Sequence, residues 1–266
     1  MAVNTIRVGT LEYLVADGIG VPHCFTTRFG GVSSGVFSAL NLRYNGGDSP
    51  ENVAQNYRIL ASTLCFDFEN LVLTRQTHSD IVRKVTKHDA IGIDNRAYPE
   101  SDALITNDPG TALCIFTADC TPVLLFDPIT GAVGAAHAGW RGTAAKIAAK
   151  TARAMIREFG CKPENIRAAI GPNIAQCCFE TDGDVPAAME ESYGEAAKAF
   201  IEKKNEKYYV NLKEINALSL KELGIDQIDI STHCTACQHH RFWSHRVVGG
   251  NRGSQGAIIV CKEVSK

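Results

Sequence analysis

The chain has 266 residues, 45% of them hydrophobic, with 27 Lys and Arg against 29 Asp and Glu and a formal net charge of −2. This balance leaves no electrostatic footprint for nucleic acid or an anionic membrane surface and points to a small-molecule partner. No basic segment followed by an apolar one opens the chain and no apolar run approaches the ~18 residues of a membrane span, so a cytoplasmic protein whose ten cysteines stay reduced is expected.

Residues 6–15 alternate loosely and predict a first strand, and residues 21–27 a second. The loop that follows, residues 28–35, is rich in glycine and hydroxyls and could present backbone N–H groups to an anion, with Arg28 supplying charge. Ser49 and Pro50 are the cap and first position of a helix predicted to reach Leu64. Residues 71–85 read as two short strands meeting at a corner, residues 76–80, where His78 is either a ligand or polar surface. Residues 101–106 and 112–117 are further strands.

Residues 117–143 hold a thiol and an imidazole that local structure brings together. An apolar run over 123–126, a turn signal over 127–131 and a small apolar run over 132–136 predict a β-hairpin in which Pro122 faces His137. Cys120 lies two residues further along, and with strands about 4.8 Å apart both side chains can enter one site. A one-residue slip would send one of them to the opposite face. Gly134, Gly139 and Gly142 keep the surroundings small.

Residues 143–159 have helical periodicity, with Gly160 as the stop, and residues 166–170 form a strand. The alanine-rich, charged stretch 184–204 predicts a solvated helix, and Asn211 with Glu214 resembles a capping box for a helix ending at Gly224. Residues 225–230 and 256–261 are the last strands. Without repeats or a proline-rich linker, residues 1–266 are expected to form one domain of mixed α and β.

Cys24, Cys65, Cys114, Cys161 and Cys261 lie within or beside apolar runs and read as packing residues, as do the adjacent Cys177 and Cys178, whose mutual disulfide would be strained. Cys234 and Cys237 form a Cys-x-x-Cys flanked by histidines. Packing is the default for them, and a closed zinc site completed by His239 or His240 is the alternative. A redox pair is disfavoured because residues 238–243 show no helical periodicity.

Four segments, residues 26–33 (Thr-Thr-Arg-Phe-Gly-Gly-Val-Ser), residues 76–78 (Gln-Thr-His), residues 117–122 with 137–142 (Thr-Ala-Asp-Cys-Thr-Pro and His-Ala-Gly-Trp-Arg-Gly) and residues 242–246 (Phe-Trp-Ser-His-Arg), resemble the bacterial YfiH/YlmD family. This family is also called the laccase-domain or multicopper polyphenol oxidase family and is described as purine nucleoside phosphorylases. The resemblance spans roughly residues 20–260, with the segments in the family's order. It implies an α+β fold, a single-domain layered sandwich of mixed β-sheets flanked by helices. It implies that His78, Cys120 and His137 are zinc ligands and the catalytic residues, an open three-ligand set suited to a catalytic ion. The implied partners are phosphate and the purine nucleosides adenosine, inosine, guanosine and 5′-methylthioadenosine, with deamination of adenosine as a second activity and a monomer or homodimer as the working form.

Arg28 and Arg246 are then the expected phosphate or ribose contacts, because guanidinium groups fit oxyanions bidentately. Asn41 and Gln76 are lesser substrate-binding candidates, suited to orienting backbone or ligand. Asp102 and Asp119 could position a ligand histidine, move a proton or cap a turn. The sequence departs from the common family form at Ser244-His245-Arg246-Val247, where many relatives carry a double arginine. An alternative reading makes Cys120 a nucleophile with His137 as base, a hydrolase acting on a peptidoglycan precursor. Copper-dependent phenol oxidation fits poorly with 8 histidines and no His-x-His pair. A non-enzymatic binding role would tolerate loss of Cys120.

Overall fold

The computed structural model describes residues 2–263. Residues 6–15 form a hairpin and not one strand: β1 (Val3–Val8) and β2 (Leu11–Ala16) pair antiparallel around Gly9, whose φ of +59° turns the chain. β3 (His23–Thr26) follows, and α1 (Pro50–Leu64) begins as predicted, with the Ser49 side chain accepting the Asn52 N–H. Cys65 closes α1 at φ +53° and is exposed, so it is a helix terminus and not a packing residue. Then come β4 (Leu71–Leu73), β5 (Val82–Lys84), β6 (Ala103–Thr106), β7 (Ala112–Thr117), β8 (Thr121–Phe126) and β9 (Val133–Ala138).

The helix expected over residues 143–159 is two helices, α2 (Trp140–Ala144) and α3 (Ile147–Phe159), because Lys146 adopts φ +58° between them. Gly160 stops α3 as predicted, at φ +70°. After β10 (Arg167–Ile170) and β11 (Glu180–Thr181), the stretch expected as one solvated helix divides. α4 (Asp184–Tyr193) ends at Gly194, a 3-10 turn follows, and β12 (Ile201–Lys204) pairs with β13 (Lys207–Val210). Val185, Met189 and Tyr193 of α4 are buried, so this helix has an apolar face. The Asn211 side chain accepts from the Glu214 N–H at the start of α5 (Leu212–Lys221), but the Asn211 N–H goes to the Phe200 carbonyl, so the cap is one-sided. β14 (Gln227–Ile230), α6 (His245–Val248) and β15 (Gln255–Val260) complete the chain.

Two mixed six-stranded sheets form the layers, in the orders β1-β2-β3-β15-β7-β4 and β14-β10-β8-β9-β6-β5, with β11-β13-β12 as a small third sheet. The period of two along the second sheet divides its residues between two cores. Leu104, Leu124, Ala135 and Ala169 join Leu14, Phe25 and Leu73 of the first sheet. Their neighbours Ile105, Val123, Leu125 and Ala168 pack with Met155 of α3 and Leu220 of α5. This is the layered α+β sandwich expected. Among the described residues no helix is long and apolar enough to cross a membrane.

The topology also creates the site. β4 and β7 are parallel neighbours in the first sheet, whereas β5 and β8 belong to the second. Residues 74–81 and 118–120 therefore both cross from one sheet to the other, and they carry His78 and Cys120. The hairpin of β8 and β9 has the predicted register, with Pro122 opposite His137 and the Asp127 N–H donated to the Ala132 carbonyl.

Candidate metal centre and catalytic cavity

His78, Cys120 and His137 meet at the end of the sandwich, their potential ligand atoms all within 4.8 Å of one another. Cys120 Sγ lies 3.9 Å from His78 Nε2, and the two imidazoles meet edge to face with centroids 5.0 Å apart. Two ligands on a tetrahedral zinc, one sulfur and one nitrogen, sit about 3.6 Å apart, so the donor set fits a metal with a small contraction.

Asp102, fully buried, holds two of the three candidate ligands. Its carboxylate accepts the N–H groups of Thr77 (3.0 Å), His78 (3.1 Å) and Ser79 (2.7 Å) and the Ser79 hydroxyl (2.7 Å). This clasp stabilises His78 at φ +60°, a left-handed conformation that a non-glycine residue rarely adopts. The same carboxylate lies 2.7 Å from His137 Nδ1, which fixes the ring and leaves Nε2 for a metal. Burial alone would raise the Asp102 carboxyl, but the hydrogen bonds from His137 and Ser79 outweigh it and hold it down at about 2.

Burial likewise opposes ionisation of Cys120 and His137, and each overcomes it for the other. The charge and hydrogen bond of His137, then the hydrogen bond with His78, bring the Cys120 thiol down to about 6, and Cys120 with Asp102 lifts His137 to about 9. A thiolate is the form in which cysteine binds metal or attacks carbon. Gly139, between β9 and α2, is required by space: a Cβ there would lie 2.8 Å from His78 Cδ2 and 3.2 Å from Cys120 Sγ.

The three side chains line one end of a cavity of about 510 Å³, within the range of small-molecule sites. Of the substrate-contact candidates, Gln76 and Arg246 also line it. Gln76 is tied to Phe116, accepting its N–H at 2.7 Å and donating to its carbonyl at 2.8 Å, so it orients backbone. Arg246 donates to the carbonyls of Cys178 and Glu180, both at 3.0 Å, beside the ring of Phe179.

Arg28 and Asn41 do not line the cavity. The Arg28 guanidinium donates to the carbonyls of Ser38 and His239 and stacks on Trp243, 4.0 Å from the ring centre, so its donors are committed elsewhere. Asn41 is buried, donates to Asp48 and accepts the N–H groups of Arg43 and Ser254, which places it behind the wall as a support. Asp119, at φ +85°, accepts from the hydroxyls of Thr235 and Ser244 and from the Arg246 N–H, which is the turn-capping role.

The sequence reading missed Arg43, Arg252, Phe179 and His245 in the cavity wall. The signal for Arg252 is a cation within Gly249-Gly-Asn-Arg-Gly253 just before the final strand. Its Nε is buried and has no hydrogen-bond partner, and burial together with the neighbouring Arg43 lowers its pKa. Arg252 Nη1 donates to the Gly253 carbonyl (2.8 Å) and the Ser254 hydroxyl (3.1 Å), and the neighbouring guanidinium groups of Arg43 and Arg252 concentrate positive charge in the cavity wall, where an anion would relieve it.

Residues 22–262 match the family described as multi-copper polyphenol oxidoreductase laccase. The chain belongs to this family. The family chain is 36% identical over 250 residues to a purine nucleoside phosphorylase of Deinococcus radiodurans, covering 94% of its own length and 92% of the relative's. It is 34% identical over 240 residues to an adenosine deaminase of an unknown prokaryotic organism, covering 88% and 91% of the two chains. The crystal structure of YlmD from Geobacillus stearothermophilus superposes with a TM-score of 0.90 at 33% identity, covering 97% of this chain and 99% of that one.

Proposed function

We propose that the chain is a zinc-dependent purine nucleoside phosphorylase, acting on adenosine, inosine, guanosine and 5′-methylthioadenosine, with adenosine deaminase activity. The observation that carries the reading is the His78, Cys120 and His137 triad opening into a cavity that also presents Arg252 and Arg246. The relatives' names, purine nucleoside phosphorylase and adenosine deaminase, support the two reaction classes. Among the described residues, histidine occurs in one of the two groups able to hold a metal, which favours a single catalytic ion over several coppers.

His78, Cys120 and His137 would hold the zinc, which when bound supplies Lewis acidity and lowers the pKa of coordinated water. In this reading Asp102 keeps the His137 ring oriented and His78 in place. Tyr44, Phe116 and Phe179 give the purine apolar faces, and Arg252 with Arg246 receives phosphate. Phosphorolysis forms the bond from a phosphate oxygen to the ribose C1′ and breaks the glycosidic bond, whose electron pair leaves with the base and requires a proton there. Deamination adds water oxygen at C6 and releases ammonia. Residues 1–266 act as one catalytic domain, cytoplasmic, as a monomer or homodimer.

A second reading is favoured by the depressed Cys120 thiol: a nucleophilic cysteine with His137 as base, in a hydrolase acting on a peptidoglycan precursor. One assay separates the two. Zinc-quantified protein is incubated with adenosine, with and without phosphate, and the products are resolved. Adenine and ribose 1-phosphate only with phosphate, inosine in both cases, and loss of both in Cys120→Ala are expected. No purine product from zinc-loaded protein, with Cys120 alkylated despite the metal, would move the assignment to the hydrolase.

A further inference from the structure

Next to the cavity-lining residues Phe179 and Arg246, Cys177, Cys178, Cys234 and Cys237 gather their sulfur atoms within 4.8 Å of one another. This corrects the expectation that Cys177 and Cys178 only fill space: Cys177 and Cys237 are exposed and Cys178 is half-buried. The Cys178–Cys237, Cys177–Cys237 and Cys177–Cys178 sulfur separations are 3.3, 3.6 and 3.7 Å. A disulfide needs about 2.05 Å, whereas two thiolates on a tetrahedral zinc at about 2.3 Å lie about 3.8 Å apart. Cys234 Sγ further accepts the N–H groups of Ala175 (3.4 Å) and Cys237 (3.5 Å), contacts that suit a charged sulfur.

We propose that these four cysteines bind a structural zinc ion in a closed all-thiolate site. Four thiols release four protons on binding and leave a net charge of −2 on the centre. Buried Lys213 supplies a counter-charge, donating to the Ser231 carbonyl at 2.6 Å and to the His233 carbonyl at 2.7 Å, immediately before Cys234. Neither His239 nor His240 is needed as a ligand, and His239 Nδ1 faces the Ala236 carbonyl at 3.1 Å. The ion would staple two segments distant in sequence that both build the cavity. Ile174 and Phe179 flank one cysteine pair, and the other leads into His245 and Arg246, whose guanidinium already grips the Cys178 carbonyl. The site stands independently of the catalytic reading.

The test uses the full chain carrying His78→Ala and Cys120→Ala, which empties the other centre, produced with zinc and purified under reducing conditions. Elemental analysis should find one zinc per chain, and zinc X-ray absorption should show four sulfur neighbours at about 2.3 Å. Adding Cys234→Ser and Cys237→Ser should remove that zinc. If the doubly emptied variant does not fold, the wild-type chain gives the answer: two zinc ions average about 2.5 sulfurs each, against one for a lone catalytic ion. A folded variant without zinc, a shell containing nitrogen, an average of one sulfur in the wild type, or a Cys178–Cys237 disulfide in freshly isolated protein would each overturn the proposal.

Discussion

Replacing Gly139 with alanine tests the metal centre at its tightest point. Gly139 has φ −67° and ψ 174°, open to any residue, so the substitution strains no backbone and isolates the steric effect. The new Cβ would lie 2.8 Å from His78 Cδ2, where carbon pairs normally rest about 3.5–4.0 Å apart. The ring must therefore retreat by roughly 0.7 Å. The His78 N–H is held by Asp102 at 3.1 Å, so the ring is expected to yield by rotating about its side-chain bonds, which displaces Nε2, and the same Cβ lies 3.2 Å from Cys120 Sγ. Ligand constellations tolerate about 0.5 Å, and a displacement near 1 Å costs on the order of 100-fold in rate. Gly139→Ala should lower zinc affinity by about 10–100-fold and reduce adenosine turnover in step, with overpacking costing about 1–3 kcal/mol of stability. Gly142→Ala is the internal control, since a Cβ there meets nothing nearer than 3.4 Å and alanine favours the helix. Zinc competition against a chromophoric chelator, run on both variants beside the parent chain, reads the difference. Equal affinity in the two variants would refute the steric argument.

Asp102→Asn turns one acceptor of a five-donor clasp into a donor, so at least one buried N–H loses its partner at about 1–3 kcal/mol; a lower melting temperature and a 10–100-fold weaker zinc affinity are expected, and an unchanged chelator competition would remove Asp102 from its positioning role. Arg252→Met should raise the KM for phosphate at least about tenfold, whereas Arg28→Met, which loses only its stacking on Trp243 and its carbonyl contacts, should leave that KM unchanged; the reverse pattern in phosphate titrations would restore Arg28 as the anion contact. Glu12, 3% exposed, is paired with Arg241 at 2.5 Å and Arg7 at 2.8 Å; burial would raise its carboxyl, and Arg241 and then Arg7 outweigh burial to hold it below its ordinary 4.5. Its ionic contribution is thus complete above pH 4.5 and is lost as pH falls through the lower folded value. Glu12→Gln should destabilise the chain by about 1–3 kcal/mol near neutrality and flatten its acid-induced loss of stability below pH 4.5; melting curves with parallel pH slopes would contradict this.

What was legible in the sequence was local. The run, turn and run over residues 123–136 fix a hairpin register, and register alone brings Cys120 toward His137. The third candidate ligand was not readable that way. His78 reaches the pair because β4 lies parallel to β7, a contact between remote segments that no local pattern encodes, and only the family resemblance tied it in. The break between α2 and α3 was hidden because the left-handed residue is Lys146, with no glycine to mark it. The strands β12 and β13 were hidden by their charge, since Lys203, Lys204 and Lys207 mask a weak alternation. Arg28 sits in a loop that looks built for anions, yet its donors are satisfied by carbonyls across the fold, while Arg252 keeps an unspent donor.

The two buried carboxylates explain why an irregular end of the sandwich can hold a defined site. Sheet-to-sheet crossings have no ladder to satisfy their backbone, and an unpaired buried N–H is costly. Asp102 takes the N–H groups of residues 77–79 on one crossing, and Asp119, itself on the other, takes the Arg246 N–H and the hydroxyls of Thr235 and Ser244. Each carboxylate converts loose backbone into one wall: Asp102 sets His78 and His137, and Asp119 sets the segment that carries Arg246. The four-cysteine cluster joins residues 177–178 to residues 234–237 beside that second wall, where Arg246 donates to the Cys178 carbonyl. A metal there would brace a wall whose two segments, among the described residues, share the single bridge of Asn173 with Cys234, and would add a second fixed point to the one that Asp119 supplies.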